Sequence, residues 1–223
     1  MLPRAAAGVL GGIELAADER LGSVPGGPAL LAENAVLLSE NGEPQRAIAL
    51  FRQVLRRNSG DTKAWNDLGS IYLQQNDLAQ ARECYEKAVA ADPALAISYR
   101  NLGVLHLTLA LRQKDPGGLQ KAHGFFDQAI ERDPGLASAY NGRASVRRFL
   151  RRVPEALADW KKALELDPEM SEPYFNLGIT YLEAGDKSEA LHYFQRCQQK
   201  LGNTLAANEK NRLQRLIAEA EKK

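Results

Sequence analysis

Four aromatic residues, Trp65, Tyr99, Tyr140 and Tyr174, stand 34, 41 and 34 residues apart, and an Asp-Pro pair falls inside each interval. A period of this size demands a row of similar supersecondary pieces, each burying its apolar face against the next. With the aromatic taken as position 4, units begin at Thr62, Ala96, Ala137 and Ser171, and a fainter one at Pro28. Position 8 then holds Ala35, Gly69, Gly103, Ala144 and Gly178, and position 20 holds Ala47, Ala81, Ala122, Ala156 and Ala190. Only small residues occupy these two slots. Position 24 is always aromatic, as Phe51, Tyr85, Phe126, Trp160 and Phe194, and position 27 reads Val54, Ala88, Ala129, Ala163 and Cys197.

This pattern resembles the tetratricopeptide repeat over about residues 28 to 204. Elementary packing supports the same arrangement. Two helices approach closely only where side chains are small, so Gly69, Ala81 and Ala88 mark the contact of helix A with helix B inside one unit. The aromatic at position 24 is expected to fill space against a neighbouring unit. Asp77 and Asp186 stand where helix B begins, each with Gln80 or Glu189 three residues on, the spacing of a capping box. Pro154 suits the first turn of helix B in the fourth unit. The Asp-Pro pairs end one helix B and open the next helix A, because proline lacks the donor a helix interior needs. The expected fold is all-α: a right-handed superhelical solenoid of five helix-turn-helix units with a C-terminal capping helix.

The 41-residue interval places seven extra residues between Leu109 and Gln120. Seven residues are close to two turns at about 3.6 residues per turn, so a helix lengthened by that amount keeps nearly the same face. The spacing predicts helix A of the third unit running on to Lys114, with Asp115, Pro116, Gly117 and Gly118 as the turn into helix B. An enlarged surface loop is the alternative. Either would protrude from one edge.

The expected units are 28–61, 62–95, 96–136, 137–170 and 171–204. Residues 1–27 lack the repeat and end in Ser23-Val-Pro-Gly-Gly27 just before Pro28; they read as a linker preceded by a short helix near Ala5 to Leu21 or by a disordered stretch. Residues 205–223 carry Leu205, Leu213, Leu216 and Ile217 at helical spacing among charged residues, the pattern of a polar cover on the last repeat.

Charge and composition narrow the partners. Lys plus Arg number 29 against 28 for Asp plus Glu, so nucleic acid is not the expected ligand. No apolar run approaches the ~20 residues that cross a bilayer, so membrane insertion is not expected, nor is a cleaved signal peptide. Cys84 and Cys197 occupy different positions of different units and imply no disulfide framework. A cytoplasmic setting is expected; the periplasm, or a membrane reached through a partner, stays open.

Catalytic signals do not assemble. His106, His123 and His192 fall at unrelated positions without ligand-spaced Cys or carboxylates, and Gly117-Gly118 lacks the spacing of a phosphate loop. No nucleophile elbow occurs. No enzyme activity, metal or cofactor is expected, and another protein is the expected partner.

The resemblance supplies a surface for it. In tetratricopeptide arrays positions 2, 5, 6, 9, 12 and 13 of the A helices face a concave groove. Here they include Asn66, Ser70, Arg100, Asn101, Val104, Asn141, Ser145, Arg148, Phe149, Phe175, Asn176 and Ile179. Asn101 and Asn176 resemble the asparagine ladder of the O-GlcNAc-transferase type, in which side-chain amides pair with a peptide backbone. The ladder is incomplete, because Asp67 and Gly142 hold the equivalent slots, and Asn is also simply common in this repeat. The carboxylate clamp that binds acidic C-termini of heat-shock proteins is not matched: of the clamp set only Asn101 agrees, or Glu172 stands where a cation is needed. A partner peptide or helix in the groove is the leading expectation. A dimerisation or spacer module is another, and so is acidic-protein or RNA binding through Arg147, Arg148, Arg151 and Arg152. Arg143, at a position normally Leu, is expected to pair with Asp159. Oligomeric state is not set by the sequence.

Overall fold

The computed structural model describes residues 27–201 and 206–221, and all eleven elements among them are α-helices. They are α1 (Gly27–Glu40), α2 (Pro44–Arg57), α3 (Thr62–Gln74), α4 (Leu78–Ala91), α5 (Ala96–Gln113), α6 (Pro116–Arg132), α7 (Ala137–Phe149), α8 (Val153–Leu166), α9 (Ser171–Glu183), α10 (Lys187–Leu201) and α11 (Ala207–Ala220). Of the segment 1–27 read as a short helix or disorder, residues 1–26 fall outside the described residues, as does Leu205, while Gly27 opens α1. Two compact units divide within α5, one ending at Asn101 and one starting at Leu102.

The helix boundaries follow from local chemistry. Asp61, Asp77 and Asp186 accept the backbone N–H groups of Ala64, Gln80 and Glu189 at 2.9, 3.1 and 3.1 Å, which satisfies donors that a first helical turn leaves unpaired. Pro44, Pro116 and Pro154 lie in first turns, where a missing N–H costs nothing. The three Asp-Pro pairs that end a helix B make the same turn: the carboxylates of Asp92, Asp133 and Asp167 accept the N–H two residues on at 2.9, 2.8 and 3.0 Å. The A-to-B turns share a feature that the residue types conceal. Gly42, Asn76, Lys114, Arg151 and Gly185 all have positive φ, between 51° and 83°. Three of the five are not glycine, so the turn geometry overrides residue preference.

The long unit differs from the expected division. Helix α5 reaches Gln113, giving 18 residues against 13 in α3, while α6 has 17 against 14 in α4. The insertion is therefore shared between both helices, and Gly117 and Gly118 lie inside α6 rather than in the turn. Asp115 explains this, since its carboxylate accepts both glycine N–H groups at 2.9 Å and starts the helix early. A side chain at Gly118 would meet the Ala110 Cβ at 2.9 Å, so the two lengthened helices need a residue without one there.

Packing places the small and aromatic slots against each other. A Cβ at Gly69 would lie 2.6 Å from the Tyr85 ring, and one at Gly178 2.4 Å from Phe194. The position-24 aromatic thus seats on helix A of its own unit, a contact added to the one expected with a neighbour. Phe126 does both. It covers Gly103 in its own unit and reaches Gly142 in the next, where a Cβ would come within 2.2 Å of the ring. Trp160, 1% exposed, likewise clusters with Ala144 and Ala156 of its unit and Leu177 of the next. At the C-terminal end Leu213 is buried, and Leu216 and Ile217 pack beside Tyr174, Phe194 and Cys197, so α11 covers the last helix pair.

Candidate functional site

In the unit ending at Asn101, two of the residues read as groove-lining are buried instead. Asn66 and Asn101 are each 4% exposed. The Asn101 amide donates to Asn66 Oδ1 at 2.9 Å, and the Asn66 amide donates to Ser98 Oγ at 2.9 Å and to the Thr62 carbonyl at 3.0 Å. These amides tie α3 to the start of α5 and present little to a ligand. Ser70 Oγ donates to the Asn66 carbonyl at 3.0 Å and lies 3.3 Å from the Tyr85 hydroxyl. Arg100 is partly buried; desolvation lowers its pKa, and its Nε has no partner among the described residues. Asn101→Ala is accordingly expected to cost about 1–3 kcal/mol of stability, because Asn66 Oδ1 is left buried and unpaired. Urea unfolding followed at Trp65 measures it, and a midpoint equal to wild type would place these amides in solvent after all.

In the unit starting at Leu102 the picture is more open. Val104, Asn141, Ser145, Asn176 and Ile179 are half-buried, and Phe149 is 46% exposed. Asn141 Oδ1 is buried without a partner, and Ser145 Oγ donates to the Asn141 carbonyl at 3.1 Å. Phe175 packs edge-on against Phe194, 6.1 Å between centroids, with the Arg212 guanidinium 4.9 Å over its ring. Two clefts result. A small one, about 220 Å³, collects Phe175 and Asn176 with Glu172, Glu209 and Arg212. A larger one, about 600 Å³, lies between the C-terminal ends of α7 and α9, lined by Arg148, Phe149, Arg151, Val153, Thr180, Glu183 and Ala184. Glu183 holds position 13, a groove-facing slot, without having been singled out; Thr180 and Arg212 carried no such signal, and only the packing of the helices brings them in.

The arginine cluster is largely spoken for. Arg143 grips Asp159 with Nε at 2.9 Å and Nη2 at 2.8 Å, as its position suggested, and also donates to Asp127 at 2.8 Å. Arg147 donates to Asp159 at 2.7 Å, so it is not a free cation, and Arg148 donates to both Glu183 oxygens at 2.6 and 2.8 Å. The four-arginine patch read from the sequence is reduced to Arg151 and Arg152 as exposed residues. Asp159 on α8 supplies the reason for Arg147 and Glu183 on α9 the reason for Arg148.

His123 completes a closed ring of side chains. Its Nδ1 lies 2.9 Å from Asp127, and Arg147 Nε donates to its Nε2 at 3.3 Å. The ring runs Asp127, His123, Arg147, Asp159, Arg143 and back, joining α6, α7 and α8. An acceptor at Nε2 requires neutral imidazole. Burial is the main cause lowering the His123 pKa from 6.5, with Arg147, Arg143 and Arg152 in the same direction and Asp127 opposing. Since the folded pKa lies below the unfolded one, the unfolded chain binds more protons, and stability falls as pH drops from about 6.5. A melting-temperature scan from pH 8 to 5 should show this fall for wild type, and His123→Gln should flatten it; an unchanged profile in the variant would assign the dependence elsewhere.

Burial pushes the thiols of Cys84 and Cys197 up to about 12 and about 11, so both are protonated at neutral pH. Among the described residues no three of His, Cys, Asp or Glu converge in metal-binding fashion, and no helix is long and apolar enough to cross a membrane.

Paired antiparallel helices with small-on-aromatic contacts at a 34-residue period define a tetratricopeptide solenoid. The tetratricopeptide-repeat family profiles match residues 33–96, 67–137 and 135–199, and the chain belongs to that family. Human protein O-mannosyl-transferase TMTC3 is 27% identical over 155 residues, which are 66% of this chain and 17% of that protein. Hsp70-Hsp90 organizing protein 1 of Glycine max is 30% identical over 157 residues, covering 70% of this chain and 24% of that protein. The chain thus spans a quarter or less of the length of these relatives. Among solved structures, TTC0263, a thermophilic tetratricopeptide protein of Thermus thermophilus, superposes with a TM-score of 0.72 at 24% identity, covering 86% of this chain and 98% of that one. PilW, a type IV pilus biogenesis factor, superposes with a TM-score of 0.70 at 20% identity, covering 89% and 92%. Such folds generally serve as protein-protein interaction scaffolds.

Proposed function

We propose that this chain is a non-catalytic scaffold that holds a peptide segment or helix of a partner protein on its A helices. The observation that carries the reading is the cleft between α7 and α9, about 600 Å³ and within the range of small binding pockets, where exposed Phe149 meets paired and free charges. Protonated buried thiols and a histidine fully engaged in a structural ring support the absence of chemistry. An acidic heat-shock tail is a poor fit, because exposed Glu172 stands where the clamp needs a cation. Affinity capture with quantitative mass spectrometry tests the proposal. Wild type should enrich a protein that Phe149→Ala/Asn176→Ala captures at least fivefold less while circular dichroism and melting stay unchanged; equal capture would move the binding surface elsewhere.

A spacer or self-associating role is favoured by one observation, Leu111 standing 43% exposed on the extra turns of α5. Light scattering decides: a concentration-independent monomer mass removes it.

A further inference from the structure

Thr180 differs from three other helical hydroxyls among the described residues. Ser70, Thr108 and Ser145 each donate to the carbonyl four residues back, at 3.0, 2.9 and 3.1 Å. Thr180, only 3% exposed, makes no such bond, and its Oγ1 is buried without a partner. A buried polar group in this condition calls for an explanation. Thr180 holds a slot that is buried and apolar in other units, as Ile71, Leu105 and Val146, and here it also lines the large cleft.

The rest of the cleft has complementary chemistry. Arg148 and Glu183 neutralise each other across it. Arg151 is exposed and forms no side-chain hydrogen bond or ion pair among the described residues. Its backbone is held at φ 62° by the turn, with Arg151 N–H bonded to the Arg148 carbonyl at 3.0 Å and Arg152 N–H to the Arg147 carbonyl at 2.8 Å. The guanidinium therefore springs from a fixed point at the mouth of the cleft. Phe149 and Val153 supply apolar wall beside it. The cleft thus presents one uncompensated positive charge, one apolar surface and one unsatisfied hydroxyl.

We infer that this cleft binds an acidic-apolar segment of a partner protein, an Asp or Glu carboxylate pairing with Arg151 and an adjacent apolar side chain lying on Phe149, with the Thr180 hydroxyl bonding the segment's backbone. The inference rests on the scaffold reading and names its ligand chemistry. An Arg fork suits a carboxylate, and a buried hydroxyl that finds its partner only in the complex contributes more there than in the free protein.

The probe is the fluorescein-labelled peptide Glu-Asp-Leu-Phe-Asp-Glu, capped at both ends so that only side-chain carboxylates are present, beside its Gln/Asn counterpart. Fluorescence polarisation at low salt should show saturable binding of the acidic peptide at least tenfold tighter than that of the amide peptide. Arg151→Glu should lose at least tenfold in affinity. Thr180→Val is the sharper variant: it removes a buried unsatisfied hydroxyl, so melting temperature should hold or rise while the peptide binds at least threefold more weakly. Equal binding of both peptides, or full affinity in Arg151→Glu, overturns the proposal; so does full affinity in Thr180→Val. RNA competing as well as the acidic peptide, with no dependence on Phe149, would overturn it in favour of a polyanion surface. The captured partner separates the two levels of the claim. If it binds Arg151→Glu and Thr180→Val normally, the cleft is wrong and the scaffold stands; if wild type captures no specific protein, the scaffold reading fails first.

Discussion

Phe126→Ala should lower stability by about 3–5 kcal/mol, the cost of emptying a large aromatic site that cannot collapse. The ring is fully buried and serves two helices at once, lying on Gly103 of α5 and Gly142 of α7. Its removal opens a cavity bounded by two glycines, and backbone cannot move in to fill it. The reciprocal test is Gly142→Ala, which places a methyl group 2.2 Å from the ring and forces Phe126 to shift. Overpacking of about 1–3 kcal/mol then opposes the helix-propensity gain of about 1 kcal/mol. Gly124 is the control: nothing lies within 4 Å of its Cβ position, so Gly124→Ala should stabilise by about 0.5–1 kcal/mol. Urea denaturation in a Trp65→Phe background, leaving Trp160 as the one indole, reads all three. Should Gly142→Ala match Gly124→Ala, the close approach of Phe126 is not the constraint at that site.

Asp159→Ala is expected to be equally severe, about 3–5 kcal/mol, because it leaves charges uncompensated in a partly buried site. The carboxylate is 6% exposed and accepts three bonds from two arginines, whose own side chains are 15% and 20% exposed. Without it, Arg143 keeps Asp127 as its one carboxylate, and Arg147 keeps none, only the neutral His123 Nε2 and the Glu155 carbonyl. Asp159→Asn should cost less than Ala, since it retains part of the hydrogen bonding, and Arg143→Leu/Asp159→Leu should recover a good part of the loss by replacing the pair with apolar volume. Guanidinium is unsuited to the measurement because it screens the ring; urea at low salt is the right denaturant. A single-variant loss below about 1 kcal/mol would mean that the ring is solvated and carries the weight of an ordinary surface pair.

Much of the fold was legible in the residues because the repeat imposes strict local rules. Small residues at positions 8 and 20 predicted the A–B contact; the aromatic at 24, expected against a neighbouring unit, also enters it, as Tyr85 on Gly69 and Phe194 on Gly178. The Asp-Pro pairs at Asp92, Asp133 and Asp167 predicted helix ends, and those three make identical turns. The pairing of Arg143 with Asp159 was legible for a different reason: a cation in a slot that usually takes Leu must find a carboxylate nearby. The candidate site was far less legible. Asn66 and Asn101 carry residue types suited to a peptide ladder, yet they bond to each other, because an amide can satisfy another amide as readily as a peptide. Gly142 looked like a gap in that ladder; it is where Phe126 arrives from the preceding unit. Arg147 and Arg148 looked like free charge, and their partners lie 12 and 35 residues away along the chain.

The 34, 41, 34 spacing by itself determined the class of fold, the position of each helix pair and the unit that would be longer than the rest. Those properties depend on short-range geometry: helix period, turn chemistry and the size of facing side chains. Only the tertiary structure decided how the insertion was shared between α5 and α6, which polar side chains were consumed internally and which were left for a ligand. Those outcomes depend on where distant side chains end. Thr180 is the clearest case. The repeat places it at position 10, where other units bury Ile71, Leu105 and Val146, so its burial was legible; its missing partner and its place on the cleft wall appear only when the ends of α7 and α9 come together.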